Sequence, residues 1–503
     1  MEANLKKCGF ASYDKTYSRT MRKEEAQDCV VPDTMPDIAE LATTWGSVLI
    51  RSKDVGEGRV RVEANVPAKV SFLPEGEGSL CCLDVNIPFY FSAEDAAIRE
   101  GNLCVADLKL RALETRVLNP RKVTVRAEVE LSLECYEAGE TVFYTGDEHC
   151  DRGIHVRERS FTVAAVGCVT EKTFVLTDEL TLPPEQLPAE TVLGQQADLC
   201  LEDVKSVGSK VILKGSVRST VLYRTPEGET DRAEFSTEFS QIVDTDVQTE
   251  EAYTAVGLLL SGLYYDVAPG YNGRTLHMEL HAVAQLTVHE NHTVSCLTDA
   301  YSNIYALELQ REQRALRRIV HTDTLRGTVR EELSLAKPAA EVLCCTGECL
   351  GAAQDESGVV LTLRLQLCCR ASNGAVFSAS QQLSVTVQTE QAREGMLLHS
   401  VMLPELNAVP SEHGVELRCT AEIGIFVTET WEMDCIQGIG YDETALLDLS
   451  DRPSLVIMKV RSSDDLWQLA RENCSTTEAI RSANCLEEET EPWEKLLLIP
   501  RMI

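Results

Sequence analysis

The 503-residue chain has no stretch of about 18 apolar residues, so no membrane-spanning helix is expected. Its amino-terminal segment, MEANLKKCGFASYDKTYS, lacks an apolar core and a cleavage pattern. No export is expected, and the protein should stay where it is made. Cations are scarce: 47 Lys and Arg stand against 80 Asp and Glu, a net charge of -33. Such a surface repels phosphate backbones and anionic lipid, which argues against nucleic-acid and polybasic membrane partners. Phosphate-cradling loops, HExxH and GxSxG are all missing, so no cofactor and no enzymatic activity are expected.

The 19 cysteines never occur as C-x-x-C, and without an export signal they are expected to be free thiols. Cys81-Cys82, Cys344-Cys345 and Cys368-Cys369 are adjacent pairs, which in a strand point to opposite faces. Cys344, Cys345 and Cys349 could supply three thiolates, but buried small hydrophobes are the preferred reading. His277, His281, His289 and His292 could hold a metal. Solvated surface histidines are preferred there, so no metal site is expected.

What is present is alternation. In Lys122 to Cys135, Val123, Val125, Ala127, Val129, Leu131, Leu133 and Cys135 are apolar and the residues between them polar, as in a strand with one dry face. The same pattern returns from Leu276 to Val288 and from Val415 to Val427, 153 and then 139 residues further on. Each of these closing strands ends a unit, and the first two units start with a Pro-rich lead-in: VVPDTMPDIAEL, with Pro32 and Pro36 expected to hold the chain extended, and LPPEQLPAETVL. Early strands follow at Gly58 to Val66, Lys210 to Tyr223 and Val359 to Leu367, with turns at Gly76 and Gly78, Gly228 and Gly374. A period of this length is domain-sized, so three tandem antiparallel β-sandwiches or open barrels are expected, each with its own core. The first 30 residues read as a loose polar arm with one short helix.

The last fifty residues differ. Met458 and Val460 alternate as a strand; Asp464 and Asp465 open a helical pattern of Leu466, Leu469 and Ala470 with Trp467 beside them. Ser475 and Glu478 have capping-box spacing before a second short helix with Ala479, Ile480 and Ala483. Leu497 and Ile499 form a strand ending at Pro500. This βααβ stretch resembles a LysM domain, with Val460, Asp464, Leu466, Trp467, Leu469, Ala470, Asn484, Leu497, Ile499 and Pro500 in register with its pattern. The resemblance implies a small core of Val460, Leu466, Trp467, Leu469, Ile480, Leu497 and Ile499. It also implies a groove that binds N-acetylglucosamine polymers, with Ser463, Asp464, Asp465, Asn484, Trp493 and Glu494 as partner- or glycan-binding residues. Ser463 and Glu494 stand where the family has Gly, Asp465 where it has Thr, and Trp493 where it has Pro, so the loops are crowded and acidic.

The PDxxPDI lead-in at Pro32 to Ile38, the KGxVxxxVLY strand at Lys214 to Tyr223 and the long closing strands resemble the sporulation-associated SPOCS domain. Tandem SPOCS copies followed by LysM resemble SipL-type proteins of endospore-forming anaerobes. That resemblance implies a non-enzymatic scaffold of spore coat and cortex assembly on the mother-cell cytoplasmic side of the forespore. Its LysM end would dock on a spore-coat morphogenetic ATPase. The expected division is residues 1–155, 156–305, 306–450 (divergent) and a LysM domain at 451–503. A peptidoglycan-binding protein acting through LysM is the alternative. A LysM-targeted hydrolase would need a catalytic domain that these β-repeats do not supply.

Overall fold

The computed structural model describes residues 2–76, 78–146, 153–247, 252–388, 395–412, 414–450, 452–461, 465–486 and 496–502. The protein is mainly β, built from antiparallel sheets, with two short helices among the described residues. No helix among them is long and apolar enough to cross a membrane.

The strands fall into three groups and a tail. The first group is β1 (Leu5–Val30), β2 (Ile38–Gly46), β3 (Leu49–Gly56), β4 (Arg59–Pro74), β5 (Cys81–Glu94), β6 (Leu103–Asn119) and β7 (Lys122–Gly146). The second is β8 (Ile154–Thr181), β9 (Thr191–Val207), β10 (Lys210–Arg224), β11 (Thr230–Asp244), β12 (Tyr253–Val267) and β13 (Thr275–Ser302). The third is β14 (Tyr305–Ser334), β15 (Glu341–Gln354), β16 (Gly358–Arg370), β17 (Val376–Gln388), β18 (Met396–Met402), β19 (Asn407–Pro410) and β20 (Gly414–Leu446). The tail is β21 (Leu455–Lys459), α1 (Leu466–Glu472), α2 (Thr477–Ala483) and β22 (Leu496–Pro500).

In each group the first and last strands pair along their whole length: β1 with β7 from Leu5↔Gly146 to Val30↔Lys122, β8 with β13, and β14 with β20. Between them lies a smaller sheet centred on β4, β10 or β16. The apolar faces of the three closing strands are dry: every alternate residue from Val123 to Cys135 and from Leu276 to Val288 is 0% exposed. Val415, Leu417, Cys419, Ala421, Ile423 and Ile425 are buried likewise. Burying a side chain such as Leu131 or Leu280 is worth about 1.5–3 kcal/mol, so these rows anchor each group.

Two expectations are corrected here. Residues 5–30 are not a loose arm with a helix but a 26-residue strand. Its composition is polar because its ladder is long-range: Lys15 meets Glu134 at 2.6 Å, Arg22 meets Glu130 at 2.6 Å, and Thr20 bonds Ser132 at 3.0 Å. The Pro-rich lead-in is a turn rather than an extended segment, with the Met35 amide donating to the Pro32 carbonyl at 2.9 Å. Arg121 clamps that turn by donating to the carbonyls of Val31, Pro32 and Met35 and to Asp37. Arg274 reproduces the clamp in the second group, on Leu182, Pro183 and Gln186.

The three groups meet in one apolar cluster. Ala42, Trp45 and Leu80 pack there with Leu193 and Leu222 and with Leu343, Cys344, Cys368 and Val376. Gly194 makes room for Trp45, since a Cβ there would come within 2.5 Å of the indole. Each turn at this end has one glycine in the left-handed region, Gly76, Gly228 and Gly374 at φ 90°, 89° and 84°. At the other end the long strands pack on one another through Phe143, Val163, Val294, Cys296, Leu316, Met433 and Cys435.

Candidate functional site: the carboxy-terminal module and the central cavity

The tail closes on itself as β–α–α–β. β21 and β22 are antiparallel, from Leu455↔Pro500 to Lys459↔Leu496. Val460, Leu466, Leu469, Ala470, Ile480, Leu497 and Ile499 are buried in one cluster, with Trp467 half-buried against it. Asp465 caps α1, its carboxylate accepting from the Trp467 amide at 3.0 Å. The cap of α2 is Thr476, which accepts from the Ala479 amide at 3.0 Å. This corrects the expected Ser475–Glu478 capping box. Ser475 is fully buried and its hydroxyl donates to the Pro500 carbonyl, so it ties the helices to β22 instead.

Asn484, read from sequence as a binding residue, works as a strut. Its amide donates to the carbonyls of Ile480 and Leu498 at 2.7 and 2.6 Å, and its oxygen accepts from the Leu498 amide at 2.8 Å. Asp465 is also engaged, because its second oxygen binds Arg157 of β8. Ser463, Asp464, Trp493 and Glu494 lie outside the described residues.

The module rests on the second group. The Trp467 indole donates to Asp299 of β13 at 2.9 Å, and Arg471 approaches the same carboxylate at 3.1 Å. Burial alone would raise the Asp299 carboxyl; the Trp467 indole and Arg471, joined by Arg311, outweigh it and hold it below the ordinary range. The Tyr301 hydroxyl donates to the Ser475 carbonyl at 3.0 Å, and its ring meets Trp467 edge-on at 4.8 Å. On the opposite side, Leu455, Ile457, Leu496 and Leu498 form an exposed apolar face.

Sequence reasoning missed the second feature. Between the three groups lie cavities of about 880 and 1190 Å³ whose walls share Asp107, Lys109, Leu199, Leu258, Cys349 and Val401. Arg364, only 8% exposed, donates to Glu348 at 3.1 Å, while its Nε has no partner. Burial pushes the carboxyls of Glu348 and Asp198 up, against the pull of Arg364 and Arg218. The edge strand β6 is held across the cavity: Gln285 exchanges two hydrogen bonds with the backbone of Ala106, at 2.9 and 2.6 Å, and Glu348 accepts from the Leu110 amide.

His289 and His399 also line the larger cavity, on either side of Phe426, with ring centroids 5.6 and 4.4 Å from it. Burial pushes both down to about 4. His292 stacks on Phe10 at 3.9 Å. His289 and His292 are therefore packed groups, not the solvated surface histidines expected from sequence. Among the described residues no group of three or more His, Cys, Asp or Glu is placed to hold a metal. No family model, curated protein or solved structure matches the chain.

Proposed function

We propose that the chain is a SipL-type assembly protein of the endospore envelope, with three tandem SPOCS-like β-domains and a carboxy-terminal LysM domain. The domains are residues 1–155, 156–305 and 306–450, and the LysM domain is 451–503. The observation that carries this reading is the recurrence, three times over, of a long first strand, a small sheet and a long closing strand, ending in a βααβ module. In this reading the β-domains are a non-enzymatic scaffold on the mother-cell side of the forespore, and the module docks on a spore-coat morphogenetic ATPase.

A protein partner suits the module better than a sugar polymer. Asp465 and Trp467 are taken up by Arg157 and Asp299. The exposed face of Leu455, Ile457, Leu496 and Leu498 is apolar, the chemistry of a protein contact. The test is capture of partners from sporulating cells by the full chain and by a chain lacking residues 454–503. The full chain is expected to retain the ATPase and the truncated chain to lose it; equal capture by both would overturn the docking role. Titration of the full chain with N-acetylglucosamine oligomers is expected to give no micromolar binding. Micromolar binding would favour the peptidoglycan alternative.

A further inference from the structure

Among the described residues, buried thiols face each other in ways the proposed function does not use, Cys344 opposite Cys368 among them, and two further pairs have sulfurs within 3.5 Å of each other. Cys104 of β6 lies directly opposite Cys135 of β7 in the ladder, and their sulfurs are 2.6 Å apart. Directly opposed residues in antiparallel strands have Cα atoms about 4.5–5.5 Å apart, inside the range that a disulfide spans. Cys296 of β13 and Cys435 of β20 sit 3.5 Å apart. Their strands are not hydrogen-bonded neighbours; they belong to the second and third groups, and around this pair they meet in the apolar cluster that joins the long strands.

We infer that Cys104–Cys135 and Cys296–Cys435 are redox-responsive pairs that close into disulfides when a low-molecular-weight disulfide is supplied, the second tying two strand groups together covalently. In each pair one thiol donates to the other, which favours the thiolate of the acceptor: Cys135, with Lys53 nearby, and Cys435, with Arg314 nearby. The thiolate attacks one sulfur of the oxidant and expels its other half as a thiolate. The facing cysteine then loses its proton, attacks the mixed disulfide and releases the second half. Each closed pair has given up two protons and two electrons, and one molecule of oxidant has become two thiols. Access to the first pair requires transient opening of β6, the last strand of its sheet, against the Gln285 bonds to Ala106. The two links span 31 and 139 residues, so the second encloses the whole of β14 to β19.

The experiment treats the full chain with oxidised glutathione and counts thiols in denaturant. Loss of four of the nineteen is expected. Peptide mapping without reductant should return the 104–135 and 296–435 links, and dithiothreitol should erase both. On a non-reducing gel the 296–435 link should make the denatured chain run ahead of its reduced form. Cys435→Ala should remove that mobility shift and keep the 104–135 link; Cys104→Ala should do the reverse. Retention of all thiols, or mapping that returns other partners for these four cysteines, would overturn the inference. Mapping of the unaltered chain decides the matter even where a variant folds poorly.

Discussion

The interior of each strand group and the space between the groups are built from opposite materials. Inside a group, rows such as Val123 to Cys135 are completely dry and carry no charge. Between groups, cavities of about 880 and 1190 Å³ are lined by Arg218, Arg364, Asp198, Glu348, His289 and His399. Dry, interdigitated rows fix a structure because any lost methylene is felt. A polar, charged seam is held by directional bonds, such as that of Arg364 on Glu348, whose strength responds to protonation of the carboxylate. The interior of each group is held by packing alone, whereas the groups are joined by apolar clusters at either end and by polar bonds in between.

That contrast can be broken at its strong side first. Leu280→Ala, in the driest row, is expected to cost about 2–5 kcal/mol, read as a lowered denaturant midpoint. A cost below ~1 kcal/mol would mean that the row collapses freely and is not the anchor.

Acid should act on the seam alone. Burial depresses His289 and His399 to about 4, below an unfolded value near 6.5. The unfolded chain therefore binds more protons between those values. Stability is full above about pH 6.5 and falls as pH drops toward 4, by up to ~3 kcal/mol for each histidine. Thermal melts from pH 7 to 4.5 should show the loss, and His399→Phe should reduce it. An unchanged slope in that variant would place the titrating groups elsewhere.

Smaller effects sharpen the comparison at the tail, where a dry core and a polar seam adjoin. Asn484→Ala removes three hydrogen bonds inside the module and should cost about 1–3 kcal/mol, seen as faster proteolysis between residues 447 and 503. Asp299→Asn touches only the seam. It should leave the module folded and shift Trp467 fluorescence as the indole loses its charged partner, an effect worth about 1 kcal/mol. The native contact should be present above the unfolded Asp value near 3.9 and fail as pH falls through the depressed value of Asp299. If Asp299→Asn instead unfolds the module, seam and core are one unit.

The same contrast explains what could be read from the chain. A dry row writes itself into sequence as strict alternation, so Leu276 to Val288 is visible from thirteen adjacent positions. The tail is legible for a related reason: Leu466, Leu469 and Ala470 are close in sequence and share one small core. A seam writes nothing locally. Arg364 meets Glu348 across two neighbouring strands, but Glu348 meets the Leu110 amide only because the first and third groups pack together. β1 was illegible for the same cause, since Lys15 and Arg22 find their carboxylates more than a hundred residues away.

The ladder of β1 also carries a consequence for how the chain is made. Leu5 pairs with Gly146, so the first strand synthesised has no partner until the last strand of its group has left the ribosome. At cellular rates of about 5–20 residues per second that interval is roughly seven to thirty seconds. An unpaired apolar strand would recruit neighbouring chains during that time. With Lys15, Arg19, Arg22, Lys23, Glu24 and Glu25 along it, β1 stays solvated through vectorial synthesis. Lys23 and Glu25 pair within the strand, and Lys15, Arg22 and Glu24 are matched when β7 emerges with Glu134, Glu130 and Arg126 to receive them.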